Sequence, residues 1–322
     1  MGIDRDRDST RGLTGAARRL LRRLSFVALL GACLPAGHSL ADSVAPPSST
    51  NRIQFLPSCY VDGYLIYFAN QRSKFDEKRF VGEGGAFMEF DVLAVGDTSM
   101  FWDFRLNSRM GKSATSDLPF AIQEVNYALV PLIERPVDDW LWRFGFDHSC
   151  YHLVRKTNET PWYAESDAVP LNDVYYNRLF LDIGSQSARP AVWRRQNQEA
   201  ARGQIRPSRL AWTVEGGYYL RDFFNVISKD SLYKGNDWIW DAGAQIKCAL
   251  FRHQLAVLAA TSETQLLGDK DRDIYWREKV GLELTFLRGG FGSRLFVNAN
   301  PLDEHPRDSR EGIVEMGATF FF

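Results

Sequence analysis

The chain has 322 residues, of which 25% are charged and 13% aromatic, with a mean hydropathy of −0.29 and a formal net charge of −1. That length allows two small domains or one large β domain, and the charge content excludes a helical membrane protein. The longest mostly apolar stretch, Leu24 to Leu40, is broken by Gly31, Pro35, Gly37 and His38 and falls short of a spanning helix.

Taken in chain order, the first element is a secretory signal over residues 1–41. Arg18, Arg19, Arg22 and Arg23 form its basic region, "LSFVALLGACL" its apolar region, and "SLADS" a small-residue cleavage point before Asp42. A rival reading lies within it: "LGAC", Leu30 to Cys33, has the form of a lipobox, in which Cys33 would carry lipid and become the first residue. The paired arginines hint at a twin-arginine signal but lack its full pattern. Removal of residues 1–41 takes away seven Arg and three Asp, leaving 32 basic and 37 acidic residues. A net charge near −5 argues against a nucleic-acid surface. The remaining cysteines, Cys59, Cys150 and Cys248, are odd in number and widely spaced, so disulfides are not the scaffold. Residues 42–58, with "SVAPPSST", read as a flexible leader.

From residue 59 to 322 the apolar residues recur at period two. In "DWIWDAGAQIKCAL", Trp238, Trp240, Ala242, Ala244, Ile246 and Cys248 oppose Asp241, Gln245 and Lys247. In "DIYWREKVGLELTF", Val280, Leu282, Leu284 and Phe286 oppose Arg277, Lys279, Gly281, Glu283 and Thr285. In the last segment, Val314, Met316, Ala318, Phe320 and Phe322 oppose Glu315, Gly317 and Thr319. A soluble sandwich alternates as well. Here, however, the polar face is charged and glycine-rich, like a wet or salt-bridged lumen, and the apolar face starts or ends in aromatics, like an interfacial girdle.

The spacing predicts about twelve strands (ten to fourteen), starting near residues 59, 80, 99, 119, 139, 174, 209, 237, 253, 272, 291 and 311. Connections after odd strands are long and polar, from "NQRSKFDEKR" to "LLGDKDRD" and "NPLDEHPRDSR"; those after even strands, such as "AVGDTS" and "FRHQ", are short. Residues 185–208 break the rule and read as a periplasmic loop, a short helix, or a missed strand pair. The fold class expected is all-β, a closed antiparallel transmembrane barrel. The chain resembles bacterial outer-membrane β-barrels as a class over nearly all of residues 59–322. Its ending, Phe320-Phe321-Phe322, is similar to the signal read by the barrel-assembly machinery, with Phe322 as the terminal aromatic. That resemblance implies an outer-membrane location, with phospholipids and lipopolysaccharide as partners. Physically, closure removes the unpaired strand edges that lipid cannot satisfy.

One strand, "WRFGFDHSCYHLVRK" (142–156), puts His148, Cys150 and His152 on the same face as Trp142, Phe144 and Phe146, at the end pointing to the extracellular rim. The next strand begins "VYYNRLFLDIG" and brings Asn177 to a similar level. The bland reading is a polar strand end, since imidazole tolerates an interface. A pair such as His148 with Cys150, or Cys150 with His152, is also compatible with part of a metal site; His148 and His152, about 13 Å apart along a strand, do not easily share one ion.

"DHSCYH" followed by "YYNRLF" resembles the His-x-Ser and Asn segments of outer membrane phospholipase A, and more generally the His-x-Ser strand of lipid A deacylases. The resemblance implies His148 as general base, Asn177 as its orienter, and Cys150 where that family has a nucleophilic serine. It also implies calcium, for which the loop residues Glu159, Glu165, Asp167 and Asp173 are candidate ligands. The sequence departs from the family in its cysteine, in the length of this loop, and in lacking a glycine pattern for an oxyanion site. A third possibility is a narrow solute pore lined by Asp103, Arg105, Arg143, Asp147, Glu215, Asp241, Lys247, Arg277, Lys279 and Glu283, though in a barrel of this size such charges are expected to pair and plug the interior. Three functions therefore stand open: a barrel of structural or adhesive role, a lipid acyl hydrolase, and a pore.

Overall fold

The computed structural model describes residues 53–55, 59–69, 80–111, 121–153, 174–203, 209–220, 238–288, 291–305 and 309–321. The signal and lipobox readings, the acidic loop residues and Phe322 lie outside them. A short first strand, β1 (Ile53–Phe55), precedes twelve long ones: β2 (Cys59–Ala69), β3 (Gly82–Val95), β4 (Thr98–Gly111), β5 (Ala121–Val137), β6 (Trp140–Leu153), β7 (Val174–Ser185), β8 (Leu210–Tyr219), β9 (Trp238–His253), β10 (Ala256–Asp269), β11 (Ile274–Arg288), β12 (Phe291–Asp303) and β13 (Val314–Phe321). From β2 to β13 each strand pairs antiparallel with the next. Strand β13 closes on β2 through Val314↔Ala69 to Phe321↔Asp62. Strand β1 stays outside the ring, pairing with β3 through Ile53↔Val95 to Phe55↔Leu93, so three residues of the expected leader are ordered as a strand.

The period-two pattern gives the wall its two faces. Trp102, Ile133, Phe144, Leu181, Val214, Leu282, Leu295 and Phe320 are exposed on the outside, while Asp103, Glu134, Arg178, Asp182, Asp241, Glu283 and Glu315 are buried within. An apolar exterior, a charged interior and a closed ring of twelve strands make this a transmembrane barrel of the outer-membrane type.

The short connections lie at one end, where Asp138 (φ 54°) and Gly96 (φ 59°) take the left-handed conformation that a tight turn requires. The connection from β10 to β11 departs from the expected long loop. Leu266, Leu267, Gly268 and Asp269 stay in the strand and pair with β11 or β9, leaving only residues 270–273 to turn. Asp269 caps that turn, accepting from the backbone N–H groups of Asp271 and Asp273 at 2.9 Å each.

Residues 186–201 resolve the anomalous connection as helix: a 3-10 turn (Gln186–Ala188), then α1 (Pro190–Ala201). Trp193, only 3% exposed, packs on Ala211, Ala249, Val257 and Ala259, whose small side chains on the inward face leave room for an indole. Lys247 Nζ lies 5.2 Å over its ring. Arg189 is held by Glu134 at 3.1 Å and Glu89 at 3.8 Å, and Arg252 Nε donates to Asn197 Oδ1 at 2.5 Å. The helical insertion thus fills the lumen at the short-turn end.

Candidate functional site

The triad residues expected from the sequence lie on adjoining strands. On β6 the even residues face outward, so His148 and Cys150 share a face two residues apart, about 7 Å along the strand. The register pairs His148 directly with Asn177 on β7 and with Leu129 on β5, and pairs Cys150 with Tyr127. Directly opposed residues have Cβ atoms about 5 Å apart, which is the reach of an imidazole meeting a short amide.

The side chains use that reach. His148 Nδ1 lies 2.8 Å from Asn177 Oδ1, and His148 Nε2 lies 3.1 Å from Cys150 Sγ. An amide oxygen only accepts, so the proton of the neutral imidazole sits on Nδ1. The lone pair of Nε2 then faces the thiol and is available for its proton. Cys150 and Asn177 are 9% and 4% exposed, respectively. A neutral amide suits this wall, because an ionised carboxylate buried in an outward, lipid-facing position would carry a large desolvation cost.

The inward side of this part of the wall is braced by residues of β4, β5 and β7. Phe101, Ala128, Val130, Leu132 and Phe180 form a buried apolar cluster on the lumen face, a feature that the charged-interior reading did not anticipate. Gly145 makes room for it, because a Cβ there would come within 2.6 Å of the Phe180 ring. The chain neighbours of the triad are pinned in turn. Asp147, next to His148, accepts from Ser149 Oγ at 2.5 Å and lies 3.9 Å from Arg105. Arg178, next to Asn177, binds Asp241 at 2.9 Å and also pairs with Glu215. These bonds hold the inward side chains next to His148 and Asn177 on β6 and β7.

His152 does not join the triad. It stacks on Tyr127, ring centroids 4.8 Å apart and planes 15° from parallel, and so extends the site toward the rim. Ser149 faces the lumen and donates to Asp147, while Cys150 Sγ is the group that lies 3.1 Å from His148 Nε2. Among the described residues, no group of three or more His, Cys, Asp or Glu side chains could hold a metal ion.

The residues expected to line a pore form ion pairs. Arg143 joins Glu134 at 2.7 Å and Asp182 at 3.6 Å, Lys247 joins Glu283 at 2.5 Å, and Arg277 joins Asp303 at 3.2 Å. Above α1 a cavity of about 510 Å³ remains, bounded by Trp193, Gln245, Lys247, Glu283 and Arg294. These pairs join strands one or two places apart along the inner wall, and α1 occupies the short-turn end of the lumen.

No family model matches the chain, and no curated protein does. Among solved structures it is similar to the KdgM porin, with 7% identity over 82% of this chain and 99% of that one, and a TM-score of 0.43. It is also similar to LpxR from Salmonella typhimurium, with 10% identity over 82% and 100% of the two chains and a TM-score of 0.38. An outer membrane channel from Pseudomonas putida F1 is 11% identical over 88% and 99%, with a TM-score of 0.43.

Proposed function

We propose that the chain is an acyl hydrolase of the outer membrane that cleaves lipid esters at the outer leaflet, with Cys150 as nucleophile, His148 as general base and Asn177 as its orienter. The observation that carries this reading is the continuous relay Cys150 Sγ to His148 Nε2 (3.1 Å), His148 Nδ1 to Asn177 Oδ1 (2.8 Å), on the lipid-facing side of the wall.

Its depth supports the same reading. Trp140 and Trp142 are exposed on the outward face at the short-turn end, where an aromatic girdle belongs. From Trp142 to Cys150 the strand advances about 26 Å, which a tilt of about 40° reduces to about 20 Å along the membrane normal. The apolar band of such barrels is about 25 Å tall, so Cys150 lies close to its far boundary, the level of lipid ester groups.

The chemistry follows from the geometry. Nε2 accepts the thiol proton as sulfur attacks the ester carbonyl, and the imidazolium returns that proton to the departing alkoxide. An acyl thioester on Cys150 remains. Water attacks it with His148 again accepting the proton, the fatty acid leaves and the thiol is restored. Asn177 holds the ring in the required tautomer throughout. On this reading the partners are outer-membrane phospholipids and lipopolysaccharide, reached after export through the segment 1–41 and assembly through Phe322.

The test is acyl release from labelled phospholipid and, separately, from lipid A by the protein reconstituted in vesicles. Release from either is expected, and Cys150→Ala and His148→Ala are each expected to lose about two to four orders of magnitude, the usual worth of a positioned base or nucleophile. Undiminished release by both variants refutes the assignment.

A further inference from the structure

Resting on the acyl-thioester just described, we propose that the site also transfers its acyl group to the primary amine of a second lipid, acting as an N-transacylase within the membrane plane.

The first ground is the nature of the nucleophile. Ser149 is turned inward onto Asp147, and the residue aligned with His148 is a thiol. The covalent intermediate is therefore a thioester rather than an oxygen ester. Sulfur donates less electron density to the carbonyl than oxygen does, so an amine attacks a thioester much more readily than an ester, while water gains little from the exchange.

The second ground is where the intermediate stands. Cys150 and Asn177 are 9% and 4% exposed on the outer wall, and the residues paired with this stretch from β5 are Leu129 and Tyr127. Lipids reach this wall laterally and at high local concentration, whereas water is depleted on the apolar side of the ester plane. Excluding water protects a reactive intermediate from hydrolysis, and confining the acceptor to the same layer raises its effective concentration.

The third ground is charge. An ammonium must lose a proton before it can attack. Among the described residues, the cross-strand partners of His148 and Cys150, which are Asn177, Leu129, Tyr127 and Tyr175, include no carboxylate that would hold it protonated. After the alkoxide has departed with its proton, His148 is neutral and can accept one. The ammonium first releases one proton to the aqueous phase; the amine nitrogen then bonds to the carbonyl carbon, the C–S bond breaks, the second proton passes from nitrogen through His148 to the thiolate, and an amide and the free thiol result. No oxidant or further reactant is needed.

The experiment uses the full barrel in vesicles of phosphatidylcholine carrying a labelled acyl chain, with and without phosphatidylethanolamine as amine acceptor. N-acylated phosphatidylethanolamine should appear at the expense of free fatty acid and be lost in Cys150→Ala. In Cys150→Ser, with folding verified by the faster gel migration of unheated barrel, the ratio of amide to free acid should fall. Free fatty acid as the sole labelled product, together with a hydroxylamine-labile acyl group on Cys150, overturns the transfer and leaves the hydrolase standing. Absence of both the acyl-protein and any acyl release overturns the transfer and the hydrolase together.

Discussion

Replacing Asn177 by alanine isolates the least obvious member of the relay. The substitution removes the acceptor 2.8 Å from His148 Nδ1 in a position that is 4% exposed, so the ring N–H loses its partner where water does not readily replace it. An unsatisfied buried donor costs about 1–3 kcal/mol, and the alternative tautomer, with its proton on Nε2, presents a donor rather than an acceptor to the thiol. At about 1.4 kcal/mol per tenfold, kcat should fall by about fivefold to a hundredfold. KM should change little, because Asn177 contacts the imidazole and not the substrate. Acyl release from vesicle phospholipid, measured at several substrate fractions, separates the two parameters. Asn177→Asp keeps an acceptor at the same place and should retain more turnover than Asn177→Ala, though its buried carboxylate should lower the yield of folded barrel. An Asn177→Ala protein that folds normally and turns over at the native rate refutes the tautomer argument.

Other outcomes follow from the same contacts. Arg178→Met leaves Asp241 and Glu215 without their shared cation; with Asp241 buried, the barrel should lose about 3–5 kcal/mol, read as a lower urea midpoint in detergent. Gly217→Ala should act on the same network, because its Cβ would collide with Arg178 Nε and Asp241 Oδ1, and should lower the same midpoint. Trp193→Ala empties the seat formed by Ala211, Ala249, Val257 and Ala259. About 3–5 kcal/mol of packing is lost, and planar-bilayer conductance should rise above that of the native chain as α1 loosens. An unchanged conductance contradicts the plugging role. Alkylation by a small membrane-permeant iodoacetamide, mapped by peptide mass, should be faster at Cys150 than at Cys248 and should slow in His148→Ala, since the imidazole favours the thiolate.

Much of the wall was legible in the sequence because period-two alternation is imposed residue by residue. Glu315, Gly317 and Thr319 against Met316 and Phe320 announce a face without knowledge of any partner. Twelve ring strands follow from that pattern, and Cys59 as a strand start followed from the same alternation. The placement of the three candidate residues was legible to the same degree: His148 and Cys150 share a face by parity alone, and Asn177 follows once β7 is taken to return antiparallel beside β6. The helix α1 was left open because "PAVWRRQNQEAA" has no apolar stripe of helical period. It is anchored by the Trp193 indole, by Asn197 and by Arg189 just before it, and the polar partners Glu134, Glu89 and Arg252 stand on strands distant in sequence. The apolar lumen cluster was missed for a similar reason. Val130 and Leu132 sit on the inward face of β5 beside outward apolar residues such as Leu129 and Ile133, so β5 reads as a continuous apolar run in which neither face stands out. Ion-pair partners such as Arg178 with Asp241, or Arg310 with Glu83, depend on the register of several strands at once and have no local signature.

The central claim is that Cys150 becomes acylated with His148 as its base, and intact-protein mass spectrometry after incubation with phospholipid vesicles tests it directly. The native chain should gain the mass of one acyl group, removable by neutral hydroxylamine and mapped to the peptide containing Cys150, with Cys150→Ala and His148→Ala both remaining unmodified. Acyl release without any such adduct, or an adduct that forms equally well in His148→Ala, would contradict the account.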